Sequence, residues 1–124
     1  MMSRVLKTTF GVHAVVSAAS GLLLLVMPGR ILQSLGWAPI DPIISRLLGA
    51  ALLALAWGSF RGWQATGRAQ VQALLEVEAA FAALACAGLL RHLLFARWPL
   101  MVWLLFGVLL VFAVSWAVLL VRKE

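Results

Sequence analysis

His13, Ser17 and Ser20 stand at i, i+4 and i+7, and Glu76 and Glu78 stand two apart, in a chain that otherwise offers little polar chemistry. Spacings of four and seven put the histidine and both serines on one face of a helix. An imidazole beside hydroxyls can hold or relay a proton, or present a ring nitrogen to a ligand. The two glutamates, if helical, point about 200° apart, so they cannot both address one partner. One carboxyl is then expected to face inward and the other a neighbouring helix or subunit. A carboxylate inside a hydrocarbon layer must protonate or find a partner. Two chemistries fit these five residues. One is a protonation site coupled to movement of an ion or small cation. The other is structural: a hydrogen-bonded clasp, such as His13 with Glu76 or Glu78, that sets helix register, or a third span that starts later and leaves both glutamates near the interface.

The elements that must position them are four long apolar runs, at residues 5–27, 42–60, 68–90 and 99–121. Each approaches the roughly 20 apolar residues a helix needs to cross a bilayer. Hydrophobic residues make up 65% of the 124-residue chain and charged residues 11%, more apolar surface than a soluble domain of this size can bury. Apolar stretches such as Leu22–Met27 and Leu104–Val114 lack the alternation of barrel strands. The expected fold is all-α: one four-helix transmembrane domain, an up-and-down integral membrane bundle, with a short interfacial amphipathic segment between the first two spans. Arg4 and Lys7 make a positive start to the chain, but the apolar run resumes after Ser17-Ala18-Ala19-Ser20, so it reads as an uncleaved span rather than a signal peptide.

Small residues mark where helices can approach. Ala50, Ala54 and Gly58 recur every four residues in the second span, and Ala79, Ala83 and Ala87 do so in the third. That spacing lets backbones come close enough for dispersion contacts to accumulate in lipid. A seam between spans two and three is therefore expected. Span four, rich in Leu, Val, Phe and Trp, is expected to face lipid or a partner chain.

Trp37, Trp63 and Trp98 lie near run ends and read as headgroup-level anchors, with Arg46 snorkelling outward or pairing with Asp41. Asp41-Pro42 opens span two as a capping residue followed by proline at the first helical position. Residues 30–37 set Ile31, Leu32 and Leu35 against Arg30, Gln33 and Ser34, an amphipathic turn for the interface. Arg4, Lys7, Arg61, Arg68, Arg122 and Lys123 fall on one side and Arg30, Arg46, Arg91 and Arg97 on the other, which favours both termini in the cytoplasm.

Several classes are excluded. The net charge of +6 is spread over both ends of the spans, so no basic groove for nucleic acid forms. The lone Cys86 has no partner for an intrachain disulfide and reads as a small packed residue. There is no CxxC pair, HExxH motif, Gly-rich phosphate loop or serine nucleophile elbow. No metal, no cofactor and no catalytic residue are therefore expected.

The stretch from Gly21 to Trp57 combines an apolar run, Met27-Pro28-Gly29, Leu35-Gly36-Trp37, Asp41-Pro42 and Arg46-Leu47-Leu48-Gly49-Ala50-Ala51. It resembles small bacterial four-span membrane proteins of the DoxX-like or unknown-function type. The resemblance covers about a third of the chain. It implies a bacterial cytoplasmic (inner) membrane and a four-helix bundle, and supplies no activity and no catalytic residue.

The expected function is that of a non-catalytic, self-assembling or accessory subunit in a membrane complex, with the bilayer and a second copy or larger partner as its contacts. One alternative is a minimal proton-coupled transporter or channel using Glu76 or Glu78. Another is a small membrane sensor whose His13 and serine stripe line a ligand pocket.

Overall fold

The computed structural model describes residues 2–27, 29–34, 36 and 41–122, apart from the side chain of Ile31. The first helix, α1 (Arg4–Val26), starts where the Ser3 hydroxyl accepts the Leu6 backbone N–H at 3.2 Å. That side-chain oxygen satisfies one of the donors a helix start leaves open. A short helix, α2 (Arg30–Ser34), follows. It closes on Gly36, whose φ of 86° lies in the left-handed region and whose N–H donates to the Gln33 carbonyl at 3.1 Å. Only glycine enters that region without steric cost. In the amphipathic segment expected here, Leu32 is half-buried and Gln33 and Ser34 are exposed, while Leu35 and Trp37 lie outside the described residues.

The next helix, α3 (Pro42–Gln64), begins as the sequence predicts. Asp41 Oδ1 accepts the N–H groups of Ile43 and Ile44 at 2.8 and 3.3 Å, and Pro42 occupies the first helical position. It runs four residues past the expected end because nothing breaks it before Thr66-Gly67. A 3₁₀ turn (Arg68–Gln70) then delays α4 (Gln72–Phe95), which starts four residues later than expected. It also continues to Phe95, since no helix breaker precedes Pro99. The final helix, α5 (Leu100–Val121), completes an all-helical chain with no strand among the described residues.

The chain forms two compact units. In the first (Ser3–Ala65), α1 and α3 lie antiparallel: Phe10 meets Gly62, His13 meets Ser59 and Gly21 meets Gly49. The buried stripe of α1 is Leu6, Phe10, His13, Ser17 and Gly21, and that of α3 is Ser45, Gly49, Ala56, Ser59 and Gly62. In the second (Thr66–Glu124, with Met1–Met2), α4 packs on α5. The buried residues of α4 are Leu75, Glu78, Ala82, Cys86 and Leu93. Arg68, just before α4, reaches the last turn of α5, so these two helices are also antiparallel.

The small residues buried on α3 and α4 lie next to those that the every-four spacing picks out. Ala50 and Ala54 are exposed and Gly58 is half-buried, whereas Gly49, one position earlier, is buried. In α4, Ala83 and Ala87 are exposed and Ala79 half-buried, whereas Ala82 and Cys86 are buried. The close approach that α3 makes within its unit is to α1, through Gly49 rather than through Ala50, Ala54 and Gly58. One residue rotates a helix face by about 100°. Ser45 and Ser59 decide the rotation, because their hydroxyls are costly against lipid and turn inward.

All four long helices are long and apolar enough to cross a membrane. Large apolar side chains remain on the surface, with Leu84 73%, Ile43 70% and Val111 65% exposed. Water does not tolerate so continuous an apolar surface, and lipid does. The chain is a multi-pass membrane protein.

Candidate functional site

The polar face of α1 finds its partner on α3. His13 sits nine residues into α1, about 13 Å along the helix from its start. Its Nδ1 lies 2.7 Å from the Ser59 hydroxyl oxygen, and its Nε2 lies 3.1 Å from that of Ser17. All three side chains are buried, and Ser59 is fully so. Helix periodicity brings Ser17 under the ring from one turn further along α1. The antiparallel register brings Ser59 across from α3.

The arrangement suits a neutral imidazole. One ring nitrogen donates and the other accepts, and a hydroxyl can do either. Nδ1–H can donate to Ser59 while Ser17 donates to Nε2, or both bonds can reverse. Each tautomer is satisfied, so a proton can be held here without placing a charge in the hydrocarbon.

Ser59 and His13 have the separation of a nucleophile and its base, but not the surroundings. Ser59 lies inside α3, where neighbouring backbone N–H groups serve the helix and offer nothing to an oxyanion. Its hydroxyl is inaccessible to a substrate. The geometry supports a clasp between two helices, not acyl transfer.

The helix crossings around this clasp are tight. A Cβ on Gly62 would lie 2.7 Å from Phe10 Cδ1, so the phenyl ring occupies the space a side chain would need. Towards the other end, a Cβ on Gly21 would lie 2.8 Å from the Gly49 carbonyl oxygen. The polar clasp is thus bracketed by two glycine contacts along the same seam.

The remaining expected residues are placed separately. Ser20 is half-buried and stands apart from the His13 bonds. Glu76 is exposed and its Oε1 accepts from Gln72 Nε2 at 2.9 Å, an i, i+4 contact on the surface of α4. Glu78 is buried at 2% exposure, six residues into α4 and so about 9 Å from its start. The two glutamates therefore do point in different directions, one outward and one inward. Trp63 is exposed at the end of α3, and Arg46 is exposed in its first turns. Trp98 is half-buried, and its indole N–H donates to the His92 carbonyl at 3.1 Å across the α4–α5 connection. Trp37 lies outside the described residues. Among the described residues no three His, Cys, Asp or Glu side chains gather to hold a metal.

Sequence reasoning overlooked Ser59, Gly49 and the role of Arg68. Ser59 carried a usable signal. It is a hydroxyl inside an apolar run, and antiparallel pairing of the first two spans sets it level with His13. Arg68 carried none. Its guanidinium donates to the carbonyls of Leu119 at 2.7 Å and Leu120 at 3.0 Å, and to that of Arg122, fifty residues and more away.

Compared with known proteins, the chain matches no family model, no curated protein and no solved structure.

Proposed function

We propose that this is a non-catalytic membrane protein that acts by packing, as a self-assembling or accessory subunit of a membrane complex. The observation that carries this reading is the exposure of small residues at helix-packing spacing. Ala50 and Ala54 on α3, and Ala83 and Ala87 on α4, lie on exposed faces. Small residues four apart on an apolar helix form a shallow groove into which another helix can settle. Two further features support it. The most apolar window of α5 is only 11% buried, leaving most of that helix to lipid or a partner. And His13 bonds Ser17 on its own helix and Ser59 on α3, which ties these two helices together.

The resemblance of residues 21–57 to small bacterial four-span proteins supports a bacterial cytoplasmic membrane. The basic ends support cytoplasmic termini: Arg4, Lys7 and Arg61 share one end of the α1–α3 unit, and Arg68 and Arg122 share one end of the α4–α5 unit.

The test is the stoichiometry of the purified protein in lipid nanodiscs or liposomes, by single-molecule photobleaching. The wild type should form oligomers or co-purify with a partner, and Ala54→Leu or Ala83→Leu should shift it towards a monomer. A solitary monomer under all lipid conditions overturns the reading.

A second reading, proton-coupled transport through Glu78, is favoured by the burial of that carboxyl within a spanning helix. It requires that Glu78→Gln abolish proton-driven flux in liposomes while Glu76→Gln, on the exposed side of α4, leaves it intact.

A further inference from the structure

Arg61 and Glu76 carry opposite charges at one membrane depth. Arg61 lies about 5 Å before the end of α3, and Glu76 about 6 Å after the start of α4. The connection between these helices, 65–71, is too short to cross a bilayer, so both depths are measured from the same surface. Both side chains are exposed. Each makes a polar contact within its own helix: Arg61 Nη1 donates to Gln64 Oε1 at 3.4 Å, and Gln72 Nε2 donates to Glu76 Oε1 at 2.9 Å. A carboxylate on the outer face of a spanning helix is costly until a cation meets it.

Each charge heads a stripe. On α3, Arg61, Trp57, Ala54, Ala50, Leu47 and Ile43 follow one another at steps of four and three residues by turns, and all six are exposed. On α4, Glu76, Ala80, Ala83, Ala87, Leu90 and Leu94 follow at the same steps in the same order, and all six are exposed. Alternating steps of four and three keep residues on one face of a helix. Neither stripe shares a residue with the buried stripe of its helix. Consecutive spans of a multi-pass chain run in opposite directions, so with Arg61 level with Glu76 the two stripes match step for step. Trp57 comes level with Ala80, large against small. Ala54 comes level with Ala83, and Ala50 with Ala87, small against small. Arg46 and Arg91 lie outside both stripes, towards the far ends of the two helices.

We propose that α3 of one copy docks on α4 of a second copy along these stripes, with Arg61 of one chain paired to Glu76 of the other. The proposal rests on the self-assembly reading above and names the contact that carries it. Copies inserted in the same direction place Arg61 and Glu76 at one level, so the unlike faces join acid to base. An α3–α3 contact brings Arg61 level with Arg61, and an α4–α4 contact brings Glu76 level with Glu76, so the like faces repel. Charge thus decides which face meets which. The alanines in the middle let the two backbones approach, and the attraction there is dispersion.

The experiment is disulfide cross-linking of the full-length protein in liposomes. Cys86→Ala first removes the one native cysteine. In that background, chains with Ala54→Cys and differently tagged chains with Ala83→Cys are reconstituted together and oxidised with copper phenanthroline. The expected product is a mixed dimer, at several times the yield of either chain linked to itself. With both tags on otherwise unaltered chains, Arg61→Glu and Glu76→Arg should each weaken association about fivefold. A chain carrying both reversals should regain it, a rescue that loss of folding would not allow. A link formed only within single chains that carry both Ala54→Cys and Ala83→Cys overturns the proposal, since the stripes would then meet inside one copy. Oligomers that show no link at this pair and no response to either reversal overturn this contact and leave self-assembly standing. A solitary monomer overturns both.

Discussion

Gly21 of α1 and Gly49 of α3 cross backbone to backbone: a Cβ on Gly21 would stand 2.8 Å from the Gly49 carbonyl oxygen, and one on Gly49 would stand 2.7 Å from that of Gly21. The contact is reciprocal, so neither helix can yield to a side chain on the other. Lipid supplies no hydrophobic force between helices, and close backbone contact is the attraction that remains. Gly21→Ala and Gly49→Ala should each destabilise the protein by about 1–3 kcal/mol, the usual cost of overpacking. Gly88→Ala and Gly107→Ala, where an added Cβ meets nothing within 4 Å, should be neutral or slightly stabilising. Unfolding in mixed micelles with increasing sodium dodecyl sulfate measures all four. Equal behaviour of the two pairs would contradict the crossing.

The clasp between His13 and Ser59 makes a separate prediction. Ser59→Ala should cost about 0.6–1.7 kcal/mol, from the average to the largest value for side-chain hydrogen bonds between membrane helices. Ser17→Ala should cost no more than this, since its bond to Nε2 is longer and lies within one helix. Ser20→Ala should stay within about 0.5 kcal/mol of the wild type, because Ser20 stands outside the clasp. The same unfolding assay ranks the three. A double-mutant cycle of His13→Ala with Ser59→Ala should show coupling of the single effects, and additive effects would mean that the pair does not interact.

Arg68 should behave as a cap that comes from outside its helix. Its guanidinium serves the carbonyls of Leu119, Leu120 and Arg122 that α5 leaves open at its end. It also sets a positive charge at the negative end of the α5 dipole. Arg68→Gln should lower stability by about 1 kcal/mol, discounted for solvent screening at a helix end. The loss should be local: backbone amides in the last turn of α5 should exchange faster with deuterium while those near Val102 do not. Arg68→Lys should restore only part of the protection, because an ammonium cannot span three carbonyls as a planar fork does.

Asp41 offers a prediction on chemistry the sequence already contained. Asp41→Ala should cost about 1 kcal/mol through loss of the bonds to Ile43 and Ile44, and Asp41→Asn should recover most of it. Because the carboxylate serves backbone donors, Arg46→Gln should not reproduce the effect. A matching loss from Arg46→Gln would mean that the pair acts as a salt bridge.

The local elements were legible because each is determined by neighbours in sequence. Asp41-Pro42 states a helix start in two residues, whereas the end of α3 at Gln64 lies four residues beyond the one expected. The all-helical character and the four long apolar spans follow from composition, since apolar residues on every face leave a helix no soluble alternative. His13 and Ser17 were readable as a shared face for the same reason. Helix ends were readable only to within about five residues: α4 ends at Phe95 rather than at residue 90, and its delay from Arg68 to Gln72 turns on a 3₁₀ turn that no residue in Arg68–Gln70 requires.

Only the folded chain decided which stripe of each helix faces inward. Gly49 and Ala50 are adjacent and both small, so periodicity cannot choose between them; the choice came from hydroxyls at Ser45 and Ser59 and from a glycine on another helix. Pairwise contacts such as His13 with Ser59, Gly21 with Gly49 and Arg68 with Leu119 join residues 28 to 51 positions apart. A sequence carries each partner's chemistry, but the distance between partners exists only after the helices have packed.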